Sequence, residues 1–386
     1  MKRTWICWEV RKLWEMPMIP IFLLFCLGFN TLIIVGNRSG SDADSYVSYV
    51  SGITQIIGGQ MGEGFSRALA QLPEENKYKD QLISETLGRE DTLDQFDTSR
   101  LSGLYIGKFR IQGLAAGFLE QKYRILDTKV KKLADEDASM SLAAAGKTKE
   151  LMDALFLKMC RAVITEGILL AVLLALYSSG CDGLSRTAPV LYSSRAGRRI
   201  QLSKAAASGL SAAAAYAVLA ACAVLVFACV WRLGSIWDAN MSSQFNYITA
   251  FGMRLPFLTW TSFSVAGYLW ATLALGLAVV IIFHGLGFAA GLIANSAYRG
   301  FLLLLVPAAL NFEIMMLAGD NSLWLLYQLI QWSPVTLWWF QPLWFTDLGT
   351  VTALPWQECM EAVFCMAAGA GILWASYRHY LKRDVI

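Results

Sequence analysis

Histidine is almost missing from this 386-residue chain: His284 and His379 are the only two, 95 positions apart. That spacing excludes the paired helical histidines of an intramembrane metallopeptidase. No Ser-His-Asp, Cys-His or paired-carboxylate arrangement stands in the apolar stretches either, which leaves no machinery for an embedded hydrolase. The eight cysteines form no CxxC, and none lies between Gly36 and Lys158, the one long polar stretch where a disulfide scaffold could matter. They read as structural thiols. A net charge of +3 is too small to imply a nucleic-acid partner. Charge is absent altogether between Arg254 and Arg299 and again between Asp320 and Asp347. A nucleotide loop is missing too: the nearest approach, SLAAAGKT at Ser141 to Thr148, has Ser where the first Gly belongs and follows a helical pattern rather than a strand.

What is present is apolar. Hydrophobic residues make up 56% of the chain and mean hydropathy is +0.47, above the ~45–50% of soluble domains, so the sequence implies an all-α polytopic membrane protein. Residues 1–17 interleave Lys2, Arg3, Arg11 and Lys12 with Trp5, Trp8 and Trp14, the composition of a helix lying in the headgroup region. A first span is expected over 18–36, a signal anchor with no small-residue cleavage motif behind it. Residues 37–161 are the compositional opposite, with 17 of the 32 Lys/Arg and 18 of the 29 Asp/Glu. They read as a helical domain inserted between the first and second spans. Within it Ile111, Leu114, Ala115, Phe118, Ile125, Leu126 and Leu133 recur at helical spacing and predict an amphipathic helix over about 110–135. From about Thr148 the last helix is expected to run into the second span, 162–178.

Further spans are expected at 205–231, 256–283, 300–318 and 359–377. The third is rich in small residues that let helices approach, and Pro307 is expected to bend the fifth. A short interfacial or gating segment is expected from His284 to Tyr298. Residues 319–358 carry Trp324, Trp332, Trp338, Trp339 and Trp344 with Pro334 and Pro342, a density that fits re-entrant or interface-lying helices better than a crossing. A true span there, paired with a split of 255–298, would give eight crossings instead of six. Six spans put 13 cations in the segments at one face (1–17, 179–204, Arg299 and 378–386) against two, Arg232 and Arg254, in the short loops at the other. The positive-inside bias then places both termini in the cytoplasm and the inserted domain outside.

The centre of this arrangement is the stretch SGCDGLSRTAPVLYSSRAGRRIQLSK, Ser179 to Lys204, with five cations and one acid. Its apolar Leu184, Val190 and Leu191 alternate with Ser and Arg, enough for a short helix along the bilayer surface. That makes it either a docking surface for a cytosolic partner or a plain orientation anchor. Glu166 and Glu313 lie inside spans, where a charge costs about 2.5–3.5 kcal/mol on insertion scales, so each needs a reason. They could line an exit for cationic or amphipathic cargo. Pairing of Glu166 with Arg161, five residues away, or a reach to outer water is the commoner explanation.

Six spans, an N-terminal interfacial helix, a basic loop after the second span and a Trp-rich segment before the sixth together resemble the membrane subunit of a type-2 ATP-binding-cassette exporter. The likeness is sharpest at Asp182, Gly183, Leu184, Leu191, Ser193, Ser194, Arg195, Gly197, Arg198, Arg199, Ile200 and Lys204, with Asp where that family usually has Glu. The resemblance implies a non-catalytic permease of a bacterial cell membrane with no cofactor in this chain. ATP and Mg would be bound by a separate cytosolic ATPase, and a second permease copy or paralogue would complete the dimer. It implies that Asp182, Gly183, Leu184, Leu191, Arg195, Arg198 and Arg199 couple the ATPase to export of a peptide, lipid-like or amphipathic toxic compound. An ABC-type relay that controls an extracellular cell-wall enzyme without transport is the alternative, and it would have four spans.

Overall fold

The structure, a computed structural model, describes residues 2–37, 42–58, 65–73, 77–86, 97–135, 146–184, 197–250, 253–294, 296–320 and 323–382. Among them, six helices are long and apolar enough to cross a membrane: Met18–Gly36, Glu150–Cys181, Gly197–Val230, Val265–Ala294, Ala297–Gly319 and Gln357–Lys382. The protein is a multi-pass membrane protein.

Helix α1 (Lys2–Trp14) buries Glu9 and Leu13 and leaves Trp5 and Trp8 exposed. It packs on the third long helix and turns at Glu15 to Pro17 into α2 (Met18–Gly36). The inserted domain follows as α3 (Ala43–Ile57), α4 (Phe65–Gln71), α5 (Lys77–Thr86), α6 (Thr98–Phe109), α7 (Leu114–Asp135) and α8 (Gly146–Asp153). Asp97 starts α6 by accepting from the Arg100 amide at 2.9 Å, the expected N-cap bond. A π-helical stretch, Ala154–Cys160, joins α8 to α9 (Arg161–Leu184) with no interruption of the helix.

After α10 (Ile200–Val230) the otherwise helical chain carries one short hairpin among the described residues. Ser243–Ala250 (β1) and Met253–Phe257 (β2) pair antiparallel, Ala250 opposite Met253 and Ile248 opposite Leu255, with an irregularity between Ser243 and Tyr247. The local sequence SQFNYITA has the aromatic and β-branched content that favours extended pairing. This hairpin, and the segment behind it, also moves the fourth span. Val265 N bonds to Ala239 O at 3.0 Å and Trp260 N to Phe345 O at 2.9 Å, so residues 256 and 257 belong to β2 and 258–264 are tied into irregular structure. The helix expected over 256–283 is therefore α11 (Val265–Ala294), which runs through His284 without the separate segment predicted from there.

Helix α12 (Ala297–Asp320) contains Pro307 in its interior. The Trp-rich stretch forms α13 (Trp324–Gln331), α14 (Pro334–Trp339) and a 3-10 turn, Gln341–Leu343, before α15 (Gln357–Lys382). At 1.5 Å per residue neither α13 nor α14 exceeds about 12 Å, far short of a ~30 Å hydrocarbon core. Ser333 separates them: its hydroxyl accepts from the Thr336 amide at 3.2 Å, and Pro334 takes the first helical position, where no amide is required.

Helix α9 is the axis of the membrane part. Two thirds of its apolar window (67%) is buried, against 11% for α12, so α9 is wrapped by neighbours while α12 presents most of its face to lipid. Close approach depends on glycine at several places, Gly276 and Gly300 among them. A side chain at Gly276 of α11 would meet Ile164 of α9 at 2.7 Å, and one at Gly300 of α12 would meet Leu176 at 2.7 Å and the Gly291 backbone at 3.2 Å. Without a hydrophobic drive between helices in lipid, such contacts carry the packing. Gly300→Val should force the α9, α11 and α12 contact apart and cost about 1–3 kcal/mol. A lowered melting temperature of the detergent-solubilised protein, with Gly285→Ala as a harmless control in open space, checks this.

Candidate functional site

The basic stretch between α9 and α10 roots in a junction of four elements. Asp182, Gly183 and Leu184 form the last turn of α9, and Arg198 and Arg199 form a 3-10 turn that leads into α10. Leu191 and Arg195, with the surface helix expected around them, lie outside the described residues. Arg198 donates through Nη1 to the carbonyl oxygens of Tyr380 (3.1 Å) and Leu381 (3.0 Å), and its guanidinium stands 6.0 Å from the Tyr380 ring. These are end-of-helix carbonyls of α15, acceptors without intrahelical donors at the negative end of the helix dipole. Arg198 thus caps α15, whereas Arg199 beside it is exposed. Below them Cys181 accepts from Lys204 Nζ at 3.2 Å and from Lys12 Nζ at 3.7 Å, which brings α1 and α10 to the end of α9. Lys204 is fully buried there.

The two intramembrane acids do not meet. Glu166 is buried between α9 and α2, where its Oε2 accepts from Asn30 Nδ2 at 2.6 Å. Arg161 is not its partner: that guanidinium lies 5.3 and 4.8 Å from the rings of Trp338 and Trp339 and donates to Trp339 O at 3.4 Å. Glu313 is exposed on α12. Neither acid lines either of two apolar cavities among the described residues of the span bundle. One, of about 480 Å³, lies among Phe283, Leu303, Pro307, Asn311 and Val335. The other, of about 570 Å³, lies among Phe22, Leu169, Val172, Phe301 and Leu305.

At the opposite end of the bundle is a site that the sequence reading missed. Lys122 of α7 has no exposed surface, and its Nζ ends in an oxygen cage: Asp347 Oδ1 at 2.5 Å, Gly349 O at 2.6 Å, Thr352 O at 3.0 Å and Thr352 Oγ1 at 3.2 Å. The Trp260 ring lies 5.9 Å away. Burial pulls the pKa of Lys122 below its ordinary value, and the Asp347 carboxylate pulls it back. Burial and the same carboxylate push the phenols of Tyr105 and Tyr123 upward.

The caged segment, residues 344–357, is bonded on every side. Asp347 N donates to Leu258 O at 2.9 Å and Tyr268 Oη to Trp344 O at 2.8 Å. Gln328 Nε2 donates to Thr350 O (2.9 Å) and Val351 O (3.0 Å), and Trp324 Nε1 to Thr350 O at 3.0 Å. On α15, Glu358 Oε1 accepts from Phe345 N at 3.1 Å, and Gln357 donates to Glu361 at 2.7 Å while accepting from the Ala353 amide at 2.7 Å.

The miss has a physical cause. Helix α7 has two apolar stripes, and the expected apolar set straddles both: Leu126 and Leu133 are buried, whereas Leu114, Phe118 and Ile125 are 85%, 53% and 39% exposed. The buried stripe is Leu119, Lys122, Tyr123, Leu126, Val130 and Leu133. A lysine in the middle of the second stripe was the available signal.

No protein family, no curated protein and no solved structure matches this chain.

Removing one partner of a buried pair leaves the other charge unpaired, which costs about 3–5 kcal/mol. Lys122→Met should therefore destabilise by that amount in SDS or thermal unfolding, and Lys122→Met combined with Asp347→Leu should recover part of the loss. Strictly additive effects would mean that the two side chains are not coupled. At the basic end, Arg198→Ala should uncap α15 and raise amide hydrogen exchange over residues 376–382, read by mass spectrometry, with the exchange of α9 unchanged.

Proposed function

We propose that the chain is the membrane subunit of an ATP-binding-cassette exporter that moves a peptide, lipid-like or amphipathic compound with energy from a separate cytosolic ATPase. The observation that carries this reading is the four-element junction under the basic stretch. Residues at the end of α9, the start of α10, the end of α15 and α1 converge there, so a force applied to the basic turn reaches four long helices at once. Arg199 and the stretch from Asp182 to Arg195 would contact the ATPase, which holds ATP and Mg. Arg198, bonded inside the chain, passes the movement to α15. The positive-inside bias puts this junction in the cytoplasm and the inserted domain outside. The apolar cavities fit apolar or amphipathic cargo. Six candidate spans rather than four favour the exporter over the relay that controls a cell-wall enzyme. A second copy or paralogue would complete the permease.

In proteoliposomes that hold the chain and its ATPase, Arg199→Glu should lower ATP-driven export at least tenfold and leave folding and insertion intact. An exposed cation at a docking surface acts chiefly on that encounter. Normal export by this variant, or labelling of Arg199→Cys by an impermeant thiol reagent added outside intact cells, would overturn the assignment.

A further inference from the structure

The end of α6, the turn into α7 and the short helix α13 border a groove of about 610 Å³ where the inserted domain meets the membrane part. Phe109, Arg110 and Gln112 form one wall, and Leu323, Trp324 and Leu326 the other. Its level relative to the bilayer follows from the chain: α12 ends at Asp320 and α13 begins at Trp324, so the groove opens where a span leaves the hydrocarbon. Trp324 is the residue type that prefers this boundary.

Two features say what the groove takes. The first is charge. Arg110 is exposed in the groove, makes no ion pair among the described residues, and no carboxylate is among the described residues of the lining. Lys108 adds a second cation, its Nζ 5.6 Å from the Phe109 ring. The second is continuity with lipid-facing surface. Leu325 and Leu329 of α13 are 69% and 75% exposed. A ligand held here has an anionic end for the guanidinium and an apolar body that runs toward the bilayer.

The backbone reinforces the point. Arg110 closes α6 in the left-handed region (φ 49°), with Arg110 N bonded to Gly107 O at 3.4 Å and Ile111 N to Ile106 O at 3.1 Å. Glycine ordinarily fills that closing position. An arginine held there at a conformational cost is consistent with a use for its side chain.

We propose that this groove is a binding site for an acidic phospholipid of the adjacent leaflet, its phosphate on Arg110 and its acyl chains along Leu326 and the exposed leucines of α13. The bound lipid seals the seam between the inserted domain and the membrane part. The site does not depend on the exporter reading, since lipid retention needs neither ATPase nor cargo.

The test uses the full chain in a neutral detergent, titrated with phosphatidylglycerol or phosphatidylcholine and read by native mass spectrometry and by melting temperature. Phosphatidylglycerol should give one adduct above the annular background and raise the melting temperature. Arg110→Gly, which suits the left-handed backbone, should fold normally yet weaken phosphatidylglycerol at least about fivefold, the worth of one arginine near an acidic surface. Arg110→Lys should restore part of the affinity. Equal affinity of wild type and Arg110→Gly, equal binding of phosphatidylcholine by wild type, or displacement of the adduct by millimolar inorganic phosphate would each overturn the proposal.

Discussion

One buried ammonium group ties the inserted domain to the segment that leads into the sixth long helix. The Lys122 side chain leaves a helix of the inserted domain and ends among oxygens that all belong to residues 347–352, just before the sixth long helix. Taking a lysine out of water is among the costliest burials available to a protein, and only a nearly complete shell of acceptors offsets it. Such a shell also demands position. A shift of an ångström or two would leave the charge without ligands, so the pairing specifies where α7 sits as much as it stabilises it. The polar bonds from Trp324, Gln328, Tyr268 and Glu358 to residues 344–351 extend this precision into three helices, α11, α13 and α15.

Placed against the proposed export cycle, the two ends of the molecule have different mechanics. At the basic end, contacts are made by long cationic side chains that reach end-of-helix carbonyls or a thiol, bonds that can slide or exchange partners. At the Lys122 end, the contacts are short, buried and mutually dependent. A permease built this way would yield where the ATPase pushes and stay rigid where the inserted domain joins. Motion at the cargo exit would then be a movement of the inserted domain and the Trp-rich helices as one body.

How much of this was legible in the sequence follows the physics of each element. The long apolar runs gave six crossing helices because in lipid a helix satisfies its own backbone, so composition alone decides. The Trp-rich stretch declared itself through Pro334 and its aromatic density. The hairpin at 243–257 and the late start of α11 were hidden, since bonds such as Trp260 to Phe345 tie residues far apart in the chain. For α7, periodicity found the helix and only part of its buried face, Leu126 and Leu133: two apolar stripes compete, and the winner was decided by a neighbour more than 220 positions away. The cage itself had no local motif, because its four oxygens all come from a turn whose shape exists only in the folded chain. Glu166 was legible as a residue that needs a partner, but Asn30 could not be told from Arg161 without knowing which helix lies beside α9.

The unbroken helix from Gly146 through the π-helical stretch to Leu184 has one more implication. At 1.5 Å per residue it is a rod of nearly ~60 Å, about twice the thickness of the hydrocarbon it pierces. A rod pivoting near its middle works as a lever: a tilt of 5° moves each tip by roughly 2.5 Å, in opposite directions. Side-chain ratchets of that size are enough to swap hydrogen-bond partners, so a small rocking of this one element is felt on both sides of the barrier without any relay of intermediate contacts.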